Sequence, residues 1–312
     1  MPDMRSLPIG VFDSGLGGLT VVREIARALP DERIVYLGDT ARCPYGPRDQ
    51  GEVREFVLQI GAWLAARPVK LIVIACNTAT AAGLAIAQQA FSVPVVGVVE
   101  PGARAAVMAT RNRRVGVIGT IGTIRSGAYS AAVRALDAGV TVFSVATPAF
   151  VDLVEAGLHM DDGPLEDWLS TTSEVFIRPS FYKIARDYLD PLKREGIDTL
   201  VLGCTHFPLL SAAIQQVVGP RVRLISSAEE TAREVAETLL ARGQRVEMRS
   251  SVPLHEFVTT GDAAEFARQG SRVLGIPTGD VGTMGIAELA QLVTPDLRAV
   301  LARFTEEEPS CA

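Results

Sequence analysis

Hydrophobic residues fall into two alternating patterns along the chain. Short, nearly continuous apolar runs occupy 9–12, 34–37, 71–75, 95–98, 114–118, 140–145, 199–202 and 223–225. Between them, stretches such as 20–29, 49–66 and 80–90 carry apolar residues at helical spacing. Strands that are apolar on both faces and alternate with helices predict parallel sheets covered by helices on both sides, an α/β fold. Residues 159–181 break this rhythm and read as an insertion. The acidic, Pro-containing tail, 305–312, reads as disordered.

The pattern also repeats. Ile9-Gly10-Val11-Phe12-Asp13-Ser14 resembles Val115-Gly116-Val117-Ile118-Gly119-Thr120, and the run before Cys76 resembles the run before Cys204. The expected architecture is two similar parallel-sheet α/β domains related by a pseudo-two-fold axis, with an active site in the cleft between them. The first domain takes 1–102 and 212–312, and the second takes 103–211. In open parallel sheets, ligands bind beyond the carboxyl ends of the strands, and both cysteines are expected there.

The chain has four cysteines, at 43, 76, 204 and 311. They are far apart and form no CxxC pair, so the spacing suggests neither a disulfide framework nor a zinc site. Cys76 and Cys204 each follow a strand and precede an expected helix start, where free amides and the helix dipole favour a thiolate. Packing alone would be satisfied by two buried cysteines acting as small apolar residues. Their equivalent positions point instead to paired chemistry. One thiolate removes a proton from one face of a carbon, and the opposite thiol returns a proton to the other face. The product is the mirror image of the substrate. A free thiol has a pKa of ~8.5, so both forms are within reach near neutral pH.

Charge narrows the partners. The net charge is −6, with 48% hydrophobic and 21% charged residues. That composition fits a soluble globular chain and argues against a nucleic-acid or anionic-membrane partner, which both need a basic face. The N-terminal MPDMRSLPIGVF has no apolar leader. The most apolar region, 71–90, is broken by Asn77, Thr78 and Thr80 and does not read as a membrane span.

Asp13-Ser14-Gly15-Leu16-Gly17-Gly18 follows a strand, opens a helix and precedes Asp39 at the spacing of a dinucleotide loop. Yet Thr20 stands where the third glycine belongs, and Asp13 would repel a pyrophosphate. The better reading is an acidic residue presented at a strand end, with Ser14 and loop amides as donors. Pro44, Tyr45 and Gly46 form either an ordinary turn or a wall for a small ligand. Asn77, Thr78, Thr120 and Thr205 read equally as helix caps and as donors to a substrate carboxylate. His206 is expected in the cavity of Cys204, while Glu155 alone reads as a surface charge.

In order along the chain, DSGLGGLTV, GDTARCPYG, ACNTATA, GVIGT, LVEAG and GCTHFPLL resemble the motifs of the cofactor-independent glutamate racemases. Residues 257–275 are similar to that family's C-terminal stretch. The resemblance implies two α/β domains around a central site that interconverts L- and D-glutamate for peptidoglycan, without pyridoxal phosphate, other cofactor or metal. By resemblance, Cys76 acts on D-glutamate with Asp13 assisting, and Cys204 acts on L-glutamate with Glu155 and His206 assisting. Asp13, Ser14, Tyr45, Gly46, Asn77, Thr78, Thr120, Thr205 and His206 hold the substrate. Asp39 matches a further acidic position. The expected form is a cytoplasmic homodimer with glutamate as its small-molecule partner. Three features depart from the pattern: the third thiol of Cys43, the insertion, and the extension 276–312. The rival readings are a racemase of aspartate or another acidic amino acid, a nicotinamide-dependent oxidoreductase, and a non-catalytic small-ligand binding protein.

Overall fold

The protein is described by a computed structural model covering residues 3–160, 179–247 and 253–306. Residues 161–178, the bulk of the expected insertion, and 307–312 of the expected tail lie outside the described residues. Among the described residues, no helix is long and apolar enough to cross a membrane.

The apolar runs form strands, as the pattern predicts. They are β1 (Ile9–Asp13), β2 (Ile34–Gly38), β3 (Leu71–Ile74), β4 (Val95–Gly97), β5 (Arg114–Gly119), β6 (Thr141–Ala146), β7 (Thr199–Gly203) and β8 (Arg223–Ser226). Two short strands had no clear signal in the sequence: β9 (Glu256–Thr259) and β10 (Val281–Thr283). Three or four residues are too few for a period to register, and β10 is only partly buried.

These strands build two sheets, one six-stranded in the order β10-β9-β2-β1-β3-β4, the other four-stranded in the order β6-β5-β7-β8. Every pairing is parallel. The inner order β2-β1-β3-β4 of the first sheet is repeated as β6-β5-β7-β8 in the second. This repeat is the fold-level form of the expected pseudo-two-fold relation. In each sheet the order reverses beside the opening strand, between β1 and β3 and between β5 and β7. Such a switch point leaves a crevice at the carboxyl ends. Cys76 lies just beyond β3 and Cys204 just beyond β7, so each thiol stands at the switch point of its own sheet.

One expected boundary moves. β8 pairs with β7, with Thr199 opposite Arg223 and Leu202 opposite Ser226. The chain therefore returns to the first half after Ser226, not near 212. Strand propensity marked 223–225 as a strand, but propensity does not say which sheet a strand joins. The return is made by helix Ser227–Ala241, capped by Ser226 and bearing Glu229 and Glu230 in its first turn, where the helix dipole favours them. This helix packs on helix Leu19–Ala28 of the first half, and one buried apolar cluster runs from Ile9, Val11 and Leu19 to Ile118, Leu202 and Phe207. The halves thus share a continuous core around the crevice.

Candidate active site

Cys76 is the N-cap of helix Asn77–Ala90. Its Sγ accepts the amide of Ala79 at 3.5 Å and lies 3.7 Å from Ser14 Oγ. The helix start expected there is present, with its amides turned toward the sulfur. Burial nevertheless dominates. Removal from water, with the nearby Asp13 carboxylate adding to it, pushes the Cys76 thiol up to about 12, although the Ala79 amide and Ser14 pull the other way.

Cys204 differs locally. No helix starts directly after it. A turn carries Thr205 and His206, then a 3-10 turn spans Phe207–Leu210, and helix Ser211–Val218 follows. Pro208 in that turn lacks an amide hydrogen, and the tighter turn delays the helix. The helix-start argument made for both cysteines therefore holds for Cys76 alone. Cys204 has a side-chain neighbour instead. Its Sγ is 3.6 Å from His206 Nδ1, and His206 Nε2 is 2.5 Å from Glu155 Oε1. Burial alone would disfavour the charged imidazole. The contacts with Cys204 and Glu155 outweigh it and hold His206 well above the usual histidine range. A protonated ring donates from both nitrogens, one toward the sulfur and one to the carboxylate. Glu155, which looked like a surface charge, reaches the site because helix Pro148–Met160 lies against the 3-10 turn that follows His206.

The glycine loop explains itself by close approach. A Cβ on Gly18 would lie 2.8 Å from Asp13 Cγ and from Tyr36 Oη. A Cβ on Gly17 would lie 2.7 Å from the His206 ring and would collide with Thr205 Oγ1. The glycines thus let the loop fold over Asp13 and press against the second half. Asp13 is fully buried, accepts the Gly15 amide at 2.9 Å and lies 3.4 Å from Thr205 Oγ1. Burial raises its pKa, with His206 and the Gly15 and Gly18 amides opposing. Nothing in this packing resembles a cradle for a pyrophosphate.

The loop 43–46 is held by Asp39. This buried carboxylate accepts from Tyr45 Oη, from Arg42 Nε at 2.6 Å and from Thr260 Oγ1 at 2.8 Å. Gly46 O in turn accepts the Gly122 amide at 2.8 Å, joining the loop to the second half. Thr78 and Thr120 are also joined across the halves, at 2.8 Å, with Thr123 beside both. Tyr129 Oη donates to Asn77 Oδ1 at 2.7 Å. Asn77 Nδ2 is buried and has no partner among the described residues. Cys43 lies near enough to Glu155, Asp13 and both other thiols to feel their charge, and burial raises its pKa.

The contacts above join expected site residues in pairs, Ser14 with Cys76, Asp13 with Thr205, Thr78 with Thr120 and Glu155 with His206. Sequence reasoning missed Thr123 and Tyr129. Thr123 had a faint signal, since Thr120 and Thr123 have the spacing of a cap and its target amide. Tyr129 had none, because its contact with Asn77 spans the two halves.

The model of the Asp/Glu/Hydantoin racemase family matches residues 9–235. Glutamate racemase from Bacillus cereus is 47% identical over 273 residues, which is 88% of this chain and 95% of that protein. Glutamate racemase from Corynebacterium diphtheriae is 47% identical over 87% of this chain and 96% of its own length. A crystal structure of a glutamate racemase isoform from Bacillus anthracis superposes with a TM-score of 0.78 at 42% identity, covering 90% of this chain and 98% of that one. The glutamate racemase from Francisella tularensis, solved in complex with D-glutamate, gives a TM-score of 0.78 at 29% identity with the same coverages.

Proposed function

This chain belongs to the Asp/Glu/Hydantoin racemase family and, within it, to the glutamate racemases, and we propose that it interconverts L- and D-glutamate by two-thiol proton transfer. The observation that supports the mechanism is that Cys76 and Cys204 follow equivalent strands of the two sheets, in halves that meet through Asp13–Thr205 and Thr78–Thr120. The choice of glutamate rests on the likeness to glutamate racemases over most of the chain.

With D-glutamate bound, the Cys76 thiolate takes the α-proton, and the electron pair of the broken C–H bond enters the α-carboxylate as an enolate-like anion. The Cys204 thiol then gives its proton to the opposite face, and L-glutamate results. Cys76 is left as thiol and Cys204 as thiolate, poised for the reverse reaction. Asp13 takes part in the proton balance of Cys76. Protonated His206, held by Glu155, does so for Cys204. The high pKa of the buried Cys76 fits this cycle: the α-ammonium of the substrate brings a cation beside the sulfur and favours the thiolate only when substrate is present. Asn77 Nδ2, the hydroxyls of Ser14, Thr78, Thr120 and Thr205, and the amides near Tyr45 and Gly46 stabilise the carboxylates and the anion. No cofactor enters this mechanism. The product serves peptidoglycan synthesis in the cytoplasm, and the working form is a homodimer.

The test is proton NMR of the purified protein with D-glutamate in deuterium oxide, no cofactor added. The α-proton signal is expected to vanish as L-glutamate forms. Exchange with aspartate but not glutamate would keep the mechanism and change the substrate. A folded, reduced sample that exchanges neither amino acid refutes the racemase reading.

A further inference from the structure

Arg272 lies on helix Ala263–Leu274, which flanks the first sheet. It is buried, yet its guanidinium reaches into the second half: Nη1 donates to Leu158 O at 2.6 Å, across 114 residues of sequence. Leu158 lies near the end of helix Pro148–Met160. Glu155 sits on the same helix one turn earlier, so the two positions share a face. Between the helices is a cavity of about 190 Å³, lined by Glu155 on one side and by Glu265, Phe266 and Gln269 on the other.

Resting on the racemase reading for its catalytic consequence, we infer that Arg272 is a positioning residue that fixes helix Pro148–Met160 so that Glu155 stays paired with His206. The physical grounds are three. A buried guanidinium does not give up its hydrogen bonds freely, so the contact is firm. It ties this end of the helix to the opposite half, so it helps to set the helix position relative to Cys204 and His206. Glu155 is partly exposed and meets His206 at 2.5 Å, a distance set by where the helix lies. The charged and titratable groups facing the pair are Cys204, Asp13 and Cys43 within the site, with Glu265 and Asp262 around the cavity.

The experiment compares Arg272→Met, which keeps the stem and loses the donors, with Arg272→Lys, which keeps a charge and one donor. The first readout is the NMR titration of His206 in the substrate-free protein, practicable because the chain has three histidines. It needs no activity and so stands even if glutamate proves not to be the substrate. The second is kcat/KM for racemisation in both directions. In R272M, the His206 titration is expected to move down toward the ordinary histidine value, and kcat/KM to fall about ten- to hundredfold. The fall must be equal for L- and D-glutamate, because enantiomers have equal free energy and their equilibrium constant is fixed at one. R272K is expected to recover part of both changes. An unchanged His206 titration in folded R272M overturns the inference. So does a loss of rate without any change in titration, which marks a merely structural arginine. Should R272M fail to fold, R272K alone decides: a wild-type titration in that variant, despite its altered contact with Leu158, also counts against it. If wild-type protein exchanges no α-proton but R272M still shifts His206, the racemase reading fails and the positioning role stands.

Discussion

Cys76 stands beside a buried aspartate, Asp13, whereas Cys204 stands beside a histidine paired with a carboxylate, Glu155. The two thiols follow equivalent strands of two sheets with the same inner order. Their surroundings are not equivalent. Asp13 ends β1, but the matching end of β5 is Gly119. His206 follows Cys204 by two residues, and the matching residue after Cys76 is Thr78. Cys76 caps a helix, while Cys204 opens a turn. The fold's symmetry thus places two sulfurs, and each one meets different neighbours. Glutamate itself has no two-fold axis, so donors to its carboxylates need not be symmetric either.

The strongest way to break the comparison is to remove one thiol at a time. Cys76→Ala and Cys204→Ala should each lower racemisation between about 10²- and 10⁴-fold while leaving the circular dichroism unchanged. The residual exchange is more informative. With Cys76 alone, D-glutamate is expected to trade its α-proton for deuterium without forming L-glutamate. With Cys204 alone, L-glutamate should do so without forming D-glutamate. The reverse pattern would exchange the roles proposed for the two sulfurs.

A smaller effect separates the two neighbourhoods. Glu155→Gln removes the charge that helps keep His206 protonated. Racemisation is expected to fall about tenfold or more, and the NMR titration of His206 should move down toward ~6.5. A pH dependence of stability follows. The folded pKa of His206 lies above its unfolded value, so its contribution is fully present below about 6.5 and is lost as pH rises through the folded value. In Glu155→Gln this alkaline loss should shrink. Identical stability profiles for the two proteins would show that Glu155 does not hold the charge.

The smallest effect is expected at the loop that spans the halves. Tyr45→Phe removes one donor from Asp39, which keeps Arg42 and Thr260. The cost should be about 1–2 kcal/mol of stability by denaturant unfolding, with a rise in KM and little change in kcat. A kcat loss as large as that of the thiol variants would place the phenol in the chemistry itself.

Much of this was legible in the chain. The apolar runs gave β1 to β8 because strands buried on both faces need continuous hydrophobic stretches. The matching sequences before Cys76 and Cys204 located both thiols at strand ends. The glycines of 15–18 were visible, but their purpose was not: they make room for Asp13, Thr205 and His206. Glu155 was ordinary by itself, since nothing within its own helix points to His206. Sheet membership of β8, and the existence of β9 and β10, depended on partners far away in sequence.

The sequence by itself determined β1 to β8, their repeat and the two sulfur positions, because each rests on periodicity and spacing within a few residues. Only the tertiary structure decided the contacts between the halves: Gly17 against His206, Thr78 with Thr120, Tyr129 on Asn77 and Arg272 on Leu158. These pairs join residues far apart along the chain. Local patterning cannot encode them, because they exist only once two separately patterned sheets are packed into one core.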